Sequence, residues 1–373
     1  MDFERKTLGE ISINGKGEYG IAAPAVNYDP QKRTYLRITD INDDGTLNLS
    51  DRKSVEGENL EKYILKENDI VFARTGASTG RNYFYEKADG EFVFAGFLIK
   101  FSIDPRKVNP RFVKYYCLSQ EYAGWIQSFS TGSTRGNINA QTLANMELRL
   151  PPRDYQNRAV EILSSIDKKI AENRAINHNL EQQAFALFDY LFPNISDGLC
   201  TIGDYITPKR GRNLLSKDAV PGTVPVVAGG LEPSTYHNIA NTLAPVLTIS
   251  ASGANAGFVN LWHKPVWSSD SSFIDSSMTK DVYFWFVMLK KRQREIFDAQ
   301  TGSAQPHIYP QHIAAMTIRS LDQALMSNFT SQVTPLFALI GANKDENDRL
   351  TSVRDALLPK LISGEIDVSE IEV

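Results

Sequence analysis

DYQNRAVEILSSIDKKIAENRAINHNLEQQAFALFDYLF, residues 154–192, is the stretch whose reading decides the architecture. It contains neither Gly nor Pro, and Leu163, Ile166, Ile170, Asn173, Asn177, Leu180, Ala184, Leu187 and Leu191 alternate at spacings of three and four. That period is a heptad seam, so it predicts one long helix lying against a partner helix. Displacing the sequence by 170 positions supplies the partner: Val333, Leu336, Ile340, Asn343, Asn347, Leu350, Leu357 and Leu361 fall on the same phases without a gap. The same displacement pairs Thr131-Gly132-Ser133 with Thr301-Gly302-Ser303, Ile138 with Ile308, Gln141 with Gln311, Met146 with Met316 and Arg149 with Arg319. The chain is therefore an internal repeat.

Asn occurs at matching seam positions in both copies. A buried seam Asn costs stability and restricts register, because its amide must find a partner; the alternative is that both are solvated where the coil splays. Arg354 stands where the first copy has Ala184, and Pro335 interrupts the early part of the second stretch, which is expected to kink or begin there.

At 373 residues, with 42% hydrophobic and 23% charged residues, the chain has the composition of a globular protein of two or more domains. Its longest apolar run, Val282 to Leu289, is far short of the roughly 20 residues of a membrane span. The opening MDFERKTLGE lacks the apolar stretch of a signal peptide, so a cytoplasmic location is expected. Cys117 and Cys200 are too few for a disulfide framework, and the five histidines show no metal-ligand spacing. The net charge of −4 divides unevenly: −2 on residues 154–192, −5 on residues 322–373, and +3 on the remainder. This balance permits nucleic-acid binding and implies weak affinity for the isolated chain.

The expected fold class is α+β, with two β-rich globular domains, residues 1–153 and 193–321, joined and separated by helical segments 154–192 and 322–373 that form an antiparallel coiled coil. Strand runs in the first domain include YLRITDI (35–41), IVFART (70–75) and FVFAGFLIKF (92–101), and a helix is expected over residues 109–129. The second domain restates the plan: Ile202-Gly203-Asp204-Tyr205 answers Leu8-Gly9-Glu10-Ile11, APVLTISA (244–251) and GFVNLW (257–262) are strands, and an aromatic helix covers residues 282–297. Insertions lengthen the first copy, with 122 positions from Gly9 to Thr131 against 98 from Gly203 to Thr301.

One matched loop carries the functional reading. Gly76, Ala77 and Gly80 of RTGASTGR (74–81) align with Gly253, Ala254 and Gly257 of ASGANAG (251–257), each loop joining two strands. Small residues let backbone amides and hydroxyls approach a ligand such as a phosphate backbone. The first loop is not a nucleotide-binding motif, since it has three residues between glycines where that motif needs four. Gly15-Lys16-Gly17-Glu18-Tyr19-Gly20 leads into Ile21 to Pro24 and not into a helix, so it reads as a loop. Neither a methyltransferase motif nor a nuclease or hydrolase constellation is present, so no catalytic residue is expected. The candidate DNA contacts are Arg74, Thr75, Gly76, Ser78, Thr79, Arg81, Arg135 and Asn137 in the first copy, and Lys209, Arg210, Arg212, Ser250, Ser252, Asn255, Gln305 and His307 in the second. Among these, Arg74, Arg81, Lys209 and Arg210 suit phosphates, while Asn137, Asn255 and Gln305 suit base edges.

In its ordered motifs the chain resembles the DNA-specificity subunits of type I restriction-modification systems. LGEI, IVFARTGASTGR, STGSTRGNINAQTLANMELRLPP and KKIAENRAIN are followed by IGDYI, LTISASGANAGFVNLW, QTGSAQPHIYPQHIAAMTI and DENDRLTSVRDALLPKLISGEI. The resemblance implies a non-catalytic subunit whose two domains each read half of a bipartite duplex sequence, with the helices as a ruler of about 58 Å at ~1.5 Å per residue. It further implies two methyltransferase subunits and restriction subunits as partners, with S-adenosylmethionine, ATP and Mg on those partners and no cofactor here. A coiled-coil scaffold whose paired domains bind protein or carbohydrate is the competing reading.

Overall fold

The two long helices run Arg153–Leu191 and Gln323–Ser363, 39 and 41 residues. Their first residues lie 170 positions apart, the displacement of the repeat. The computed structural model describes residues 3–129, 137–302 and 305–368. Within it the chain forms two compact units: unit 1 comprises the residues up to Lys169 with those from Leu350 onward, and unit 2 comprises Ile170–Arg349. Each unit thus owns a segment of both helices.

In unit 1 a four-stranded antiparallel sheet is ordered Glu18–Tyr19, Leu98–Ser102, Asp69–Ala73, Asn82–Phe84. A second sheet contains Arg33–Leu36 parallel to Phe92–Phe94. Unit 2 has the same first sheet, ordered Lys209–Arg210, Ser271–Asp275, Val246–Ser250, Val259–Trp262. Its second sheet likewise pairs Val224–Val227 parallel with Trp267–Ser268. The second sheet of unit 1 has four strands against three in unit 2, so part of the extra length of the first copy is an inserted strand.

The repeat extends to single hydrogen bonds. Glu4–Thr7 pairs with Glu147–Leu150, and Cys200–Thr201 with Thr317–Ile318. The Leu8 amide donates to the Met146 carbonyl at 2.8 Å, and the Ile202 amide to that of Met316 at 3.0 Å. Glu10 and Asp204 accept from the amides of Thr7 and Thr201, each at 2.7 Å. The cores repeat too: Leu8, Ile70, Phe101, Phe112, Leu163 and Leu361 belong to that of unit 1, and Ile202, Leu247, Trp285, Phe188, Phe329 and Val333 to that of unit 2.

Several expectations are corrected. FVFAGFLIKF is two strands in two sheets, divided at Ala95-Gly96-Phe97, where the Gly96 amide bonds to the Ile21 carbonyl at 2.8 Å. The extended part of 35–41 ends at Leu36, because Arg37 and Asp40 close a short 3-10 turn over Ile38–Asp40. The helix of 109–129 is two, Pro110–Tyr116 and Gln120–Gln127, with Asn109 and Ser119 as their N-caps. The aromatic helix divides in the same way at Arg292. Pro335 lies within the second long helix and does not begin it. Met326, Phe329 and Val333 bury their side chains ahead of the proline, and the Asp322 carboxylate caps the Ala324 and Leu325 amides at 2.8 and 3.2 Å. That packing anchors the first turns in spite of the missing amide.

Along the seam, Ile170, Asn173, Ile340, Asn343 and Leu361 are buried, while Ile166, Asn177, Leu180, Leu187, Leu191, Leu336, Asn347, Leu350 and Leu357 are half-buried. Phe188, Phe192, Phe337, Leu358 and Ile362 are buried one position further along. Toward the globular cores the helices pack on a domain as well as on each other, so the apolar stripe widens beyond a strict heptad. Asn173 Nδ2 donates to Asn347 Oδ1 at 3.0 Å and to Glu346 Oε2 at 2.7 Å, and Asn343 Nδ2 donates to Asn177 Oδ1 at 2.8 Å. The seam asparagines therefore pair with one another across an antiparallel contact within unit 2. In unit 1, Asp167 accepts from Tyr115 Oη at 2.8 Å and meets Arg354 Nη1 at 3.3 Å. Arg354, out of place in an apolar seam, thus has its counter-charge on the facing helix.

Candidate nucleic-acid interface

The loop between strands Asp69–Ala73 and Asn82–Phe84 and its partner between Val246–Ser250 and Val259–Trp262 share one backbone. Gly76 and Gly253 have φ of +75° and +82°, and Gly80 and Gly257 have +89° and +87°. These are left-handed conformations that favour glycine. The Gly80 amide donates to Ala73 at 2.9 Å and the Gly257 amide to Ser250 at 2.7 Å; the Arg81 and Phe258 amides both donate three residues back at 2.9 Å. A Cβ on Gly80 would lie 2.6 Å from Ile126, and one on Gly257 2.9 Å from Ile296, residues that are themselves 170 positions apart. Around Gly76 and Gly253 there is nothing within 4 Å. The first glycine of each loop faces open space and the second is wedged against a helix.

A second segment is laced to each loop. Thr75 bridges Asn137 and Ser252 bridges His307; the Ile138 amide donates to the Arg74 carbonyl and the Ile308 amide to that of Ala251, both at 2.9 Å. The strand and bridge pairings so bring Arg74, Thr75, Gly76, Thr79 and Asn137 together in unit 1, and Arg210, Ser252, Asn255 and His307 in unit 2. Arg135 lies outside the described residues, as do residues 131–133 and Ser303.

The side chains divide by availability. Ser78 and Ser250 are buried, and Ser250 Oγ points to the Ala228 carbonyl at 3.5 Å. The Arg81 guanidinium forks onto Asp43 at 2.6 and 3.3 Å and reaches the Ile41 carbonyl at 3.2 Å, which ties the loop to a neighbouring turn. Arg210 Nη2 meets Asp270 Oδ1 at 2.5 Å, and Ser252 Oγ donates to the other oxygen of that carboxylate. Lys209, Arg212 and Gln305 are exposed and have no ion pair among the described residues. His307 is half-buried and stacks on Tyr309 with ring centroids 5.9 Å apart.

Arg74 is the centre of the unit 1 cluster. Its amide donates to the Phe97 carbonyl at 3.0 Å, its guanidinium lies 5.1 Å over the Tyr19 ring, and the Tyr19 hydroxyl accepts from the Ala140 amide at 3.1 Å. Arg74 Nε is buried and makes no hydrogen bond among the described residues. Tyr19, Phe97, Asp270 and Tyr309 were not legible as site residues in the sequence. They reach the loops through strand register or tertiary packing, which no local spacing encodes. Among the described residues no group of His, Cys, Asp or Glu is placed to hold a metal, and no helix is long and apolar enough to cross a membrane.

Duplicated α+β units, each with a laced, glycine-hinged loop and a segment of both long helices, define a two-module protein. Residues 1–182 match the family model of the type I restriction modification DNA specificity domain. Across 305 residues the chain is 25% identical to the type I restriction enzyme MjaIX specificity subunit of Methanocaldococcus jannaschii, covering 71% of each chain. It is 23% identical to the HindI specificity subunit of Haemophilus influenzae over 65% of this chain and 53% of that one. The type I restriction-modification S subunit from M. genitalium shares the fold, with a TM-score of 0.54 at 18% identity, over 97% of this chain and 96% of that one. The chain is thus similar to type I restriction-modification specificity subunits, through a family model over residues 1–182 and through relatives at 25% and 23% identity.

Proposed function

We propose that each unit reads one half of a bipartite duplex sequence through its laced loop. The recognition domains are residues 1–153 and 193–321, and the helical segments 154–192 and 322–373 act as spacers. The observation that carries this reading is the matched backbone of the 74–81 and 251–257 loops, which holds different side chains at corresponding positions. One frame with two sets of side chains suits two half-sites of different sequence. Arg74, Lys209 and Arg212 would meet phosphates, and Thr75, Asn137, Asn255, Gln305 and His307 base edges, as the chemistry of their donors and acceptors allows. Arg81 and Arg210 carry internal carboxylate partners and serve first to order the frame. Two methyltransferase subunits, and restriction subunits in the full complex, join this chain and bring S-adenosylmethionine, ATP and Mg.

The test is adenine-methylation mapping of DNA from cells carrying this chain with its cognate methylase. A chain-dependent bipartite motif with an unread gap is expected, and Asn137→Ala and Asn255→Ala should each alter a different half. An active methylase with no chain-dependent motif would reject the reading.

A further inference from the structure

The strand register identifies one more pair of positions. In unit 1 Ala73 pairs with Leu98, and one step beyond the sheet the Arg74 amide donates to the Phe97 carbonyl at 3.0 Å. In unit 2 Ser250 pairs with Ser271, and the Ala251 amide donates to the Asp270 carbonyl at 3.1 Å. Phe97 and Asp270 thus occupy one point on the shared frame. By the same register Tyr19, opposite Ile99, matches Arg210, opposite Ser272.

The chemistry at that point is opposite in the two units. Asp270 is half-buried and engaged, holding Arg210 and Ser252. Phe97 is 59% exposed at the end of its strand and makes no ring contact among the described residues. Packing gives no reason for a phenylalanine there, since the chain reversal uses Gly96, where a Cβ would lie 3.2 Å from the Ile21 carbonyl. Across the strand register from Phe97 stands Arg74, its guanidinium over Tyr19, followed by Thr75 with its bridge to Asn137. An exposed aromatic ring next to a guanidinium and polar termini is the combination that meets a base edge carrying both an acceptor and a methyl group.

We propose that Phe97 is a specificity-determining residue of unit 1 that packs on the 5-methyl group of a thymine in the major groove of its half-site. Asp270, at the matched point of unit 2, holds Arg210 and Ser252 and presents no apolar surface there. This rests on the loop reading above. The experiment uses the chain assembled with its cognate methylase. Each thymine of the unit 1 half-site is replaced in turn by uracil, which removes only the methyl group, for wild type, Phe97→Ser and Asn137→Ala. Thermal unfolding checks that the exposed substitution leaves the fold intact. At one position uracil should weaken wild-type binding about tenfold, and the loss should vanish in Phe97→Ser. If uracil costs nothing at every position, if its cost is the same in Phe97→Ser, or if the half-site lacks thymine, the proposal falls. If in that case Asn137→Ala still alters the motif, the loop reading stands without Phe97; if neither substitution alters it, the loop reading falls as well.

Discussion

Gly80 and Gly76 share a left-handed backbone but not a neighbourhood. A side chain at either pays the left-handed penalty of about 1–2 kcal/mol, while at Gly80 the new Cβ also meets Ile126 at 2.6 Å. Gly80→Ala should therefore lower unfolding free energy by about 1–3 kcal/mol more than Gly76→Ala, as denaturant titration of the two variants would measure; equal losses would contradict the wedge. The buried seam asparagines make a second case. Asn173→Ala removes the donor that Asn347 Oδ1 accepts from, and should cost about 1–3 kcal/mol. In a double-mutant cycle Asn173→Ala with Asn347→Ala should be clearly non-additive, because the second truncation removes an acceptor already without its donor. Additive losses would mean that the amides do not restrict the register.

At the scale of elements, the second long helix is shaped by what it touches. Gly341 is buried within it, and a Cβ there would lie 2.8 Å from Cγ of His263. The helix gives up a better helix former to seat an imidazole. Burial, and secondarily the charge of Lys344, push the His263 pKa down to about 4, with Asp345 acting the other way. Its unfolded value is near 6.5, so between about 4 and about 6.5 the unfolded chain binds more protons than the folded one. The stability held by neutral His263 is therefore complete above about 6.5 and declines as pH falls toward about 4. Urea unfolding across that range should show the decline in wild type and a flatter profile in His263→Gln; identical slopes would place the histidine outside the linkage. The two units also solve one helix contact differently. Tyr115, Asp167 and Arg354 form a polar cluster in unit 1, while their counterparts 170 positions away are Trp285, Phe337 and Ala184 in the core of unit 2.

For the whole molecule the charge distribution matters more than its sum. The helical segments and acidic tail carry −7 and the remaining residues +3. An isolated chain so constituted should hold duplex weakly, with a log–log salt slope no steeper than about −3. Assembly with the methylase should steepen it. Fluorescence anisotropy over a salt series measures both, and a steep slope for the chain alone would show that this protein supplies the main electrostatic grip itself.

The sequence by itself determined the repeat, the long helices and the two glycine-hinged loops. Each is written in local periodicity or in spacing that survives duplication: the 170-residue displacement, the three-and-four seam, and glycine at the left-handed positions of both loops. Only the tertiary structure decided which loop side chains remain available. Ser78 and Ser250 are turned inward, Arg81 is claimed by Asp43 and Arg210 by Asp270, while Phe97 is brought beside Arg74. Those outcomes depend on strand register and on partners tens of residues away. The strands here are short, and their hydrophobic pattern identifies a buried face without naming the residue opposite. The seam broadening at Phe188 and Phe192 has the same origin, since a helix packed on a second element buries a stripe that its own heptads do not specify.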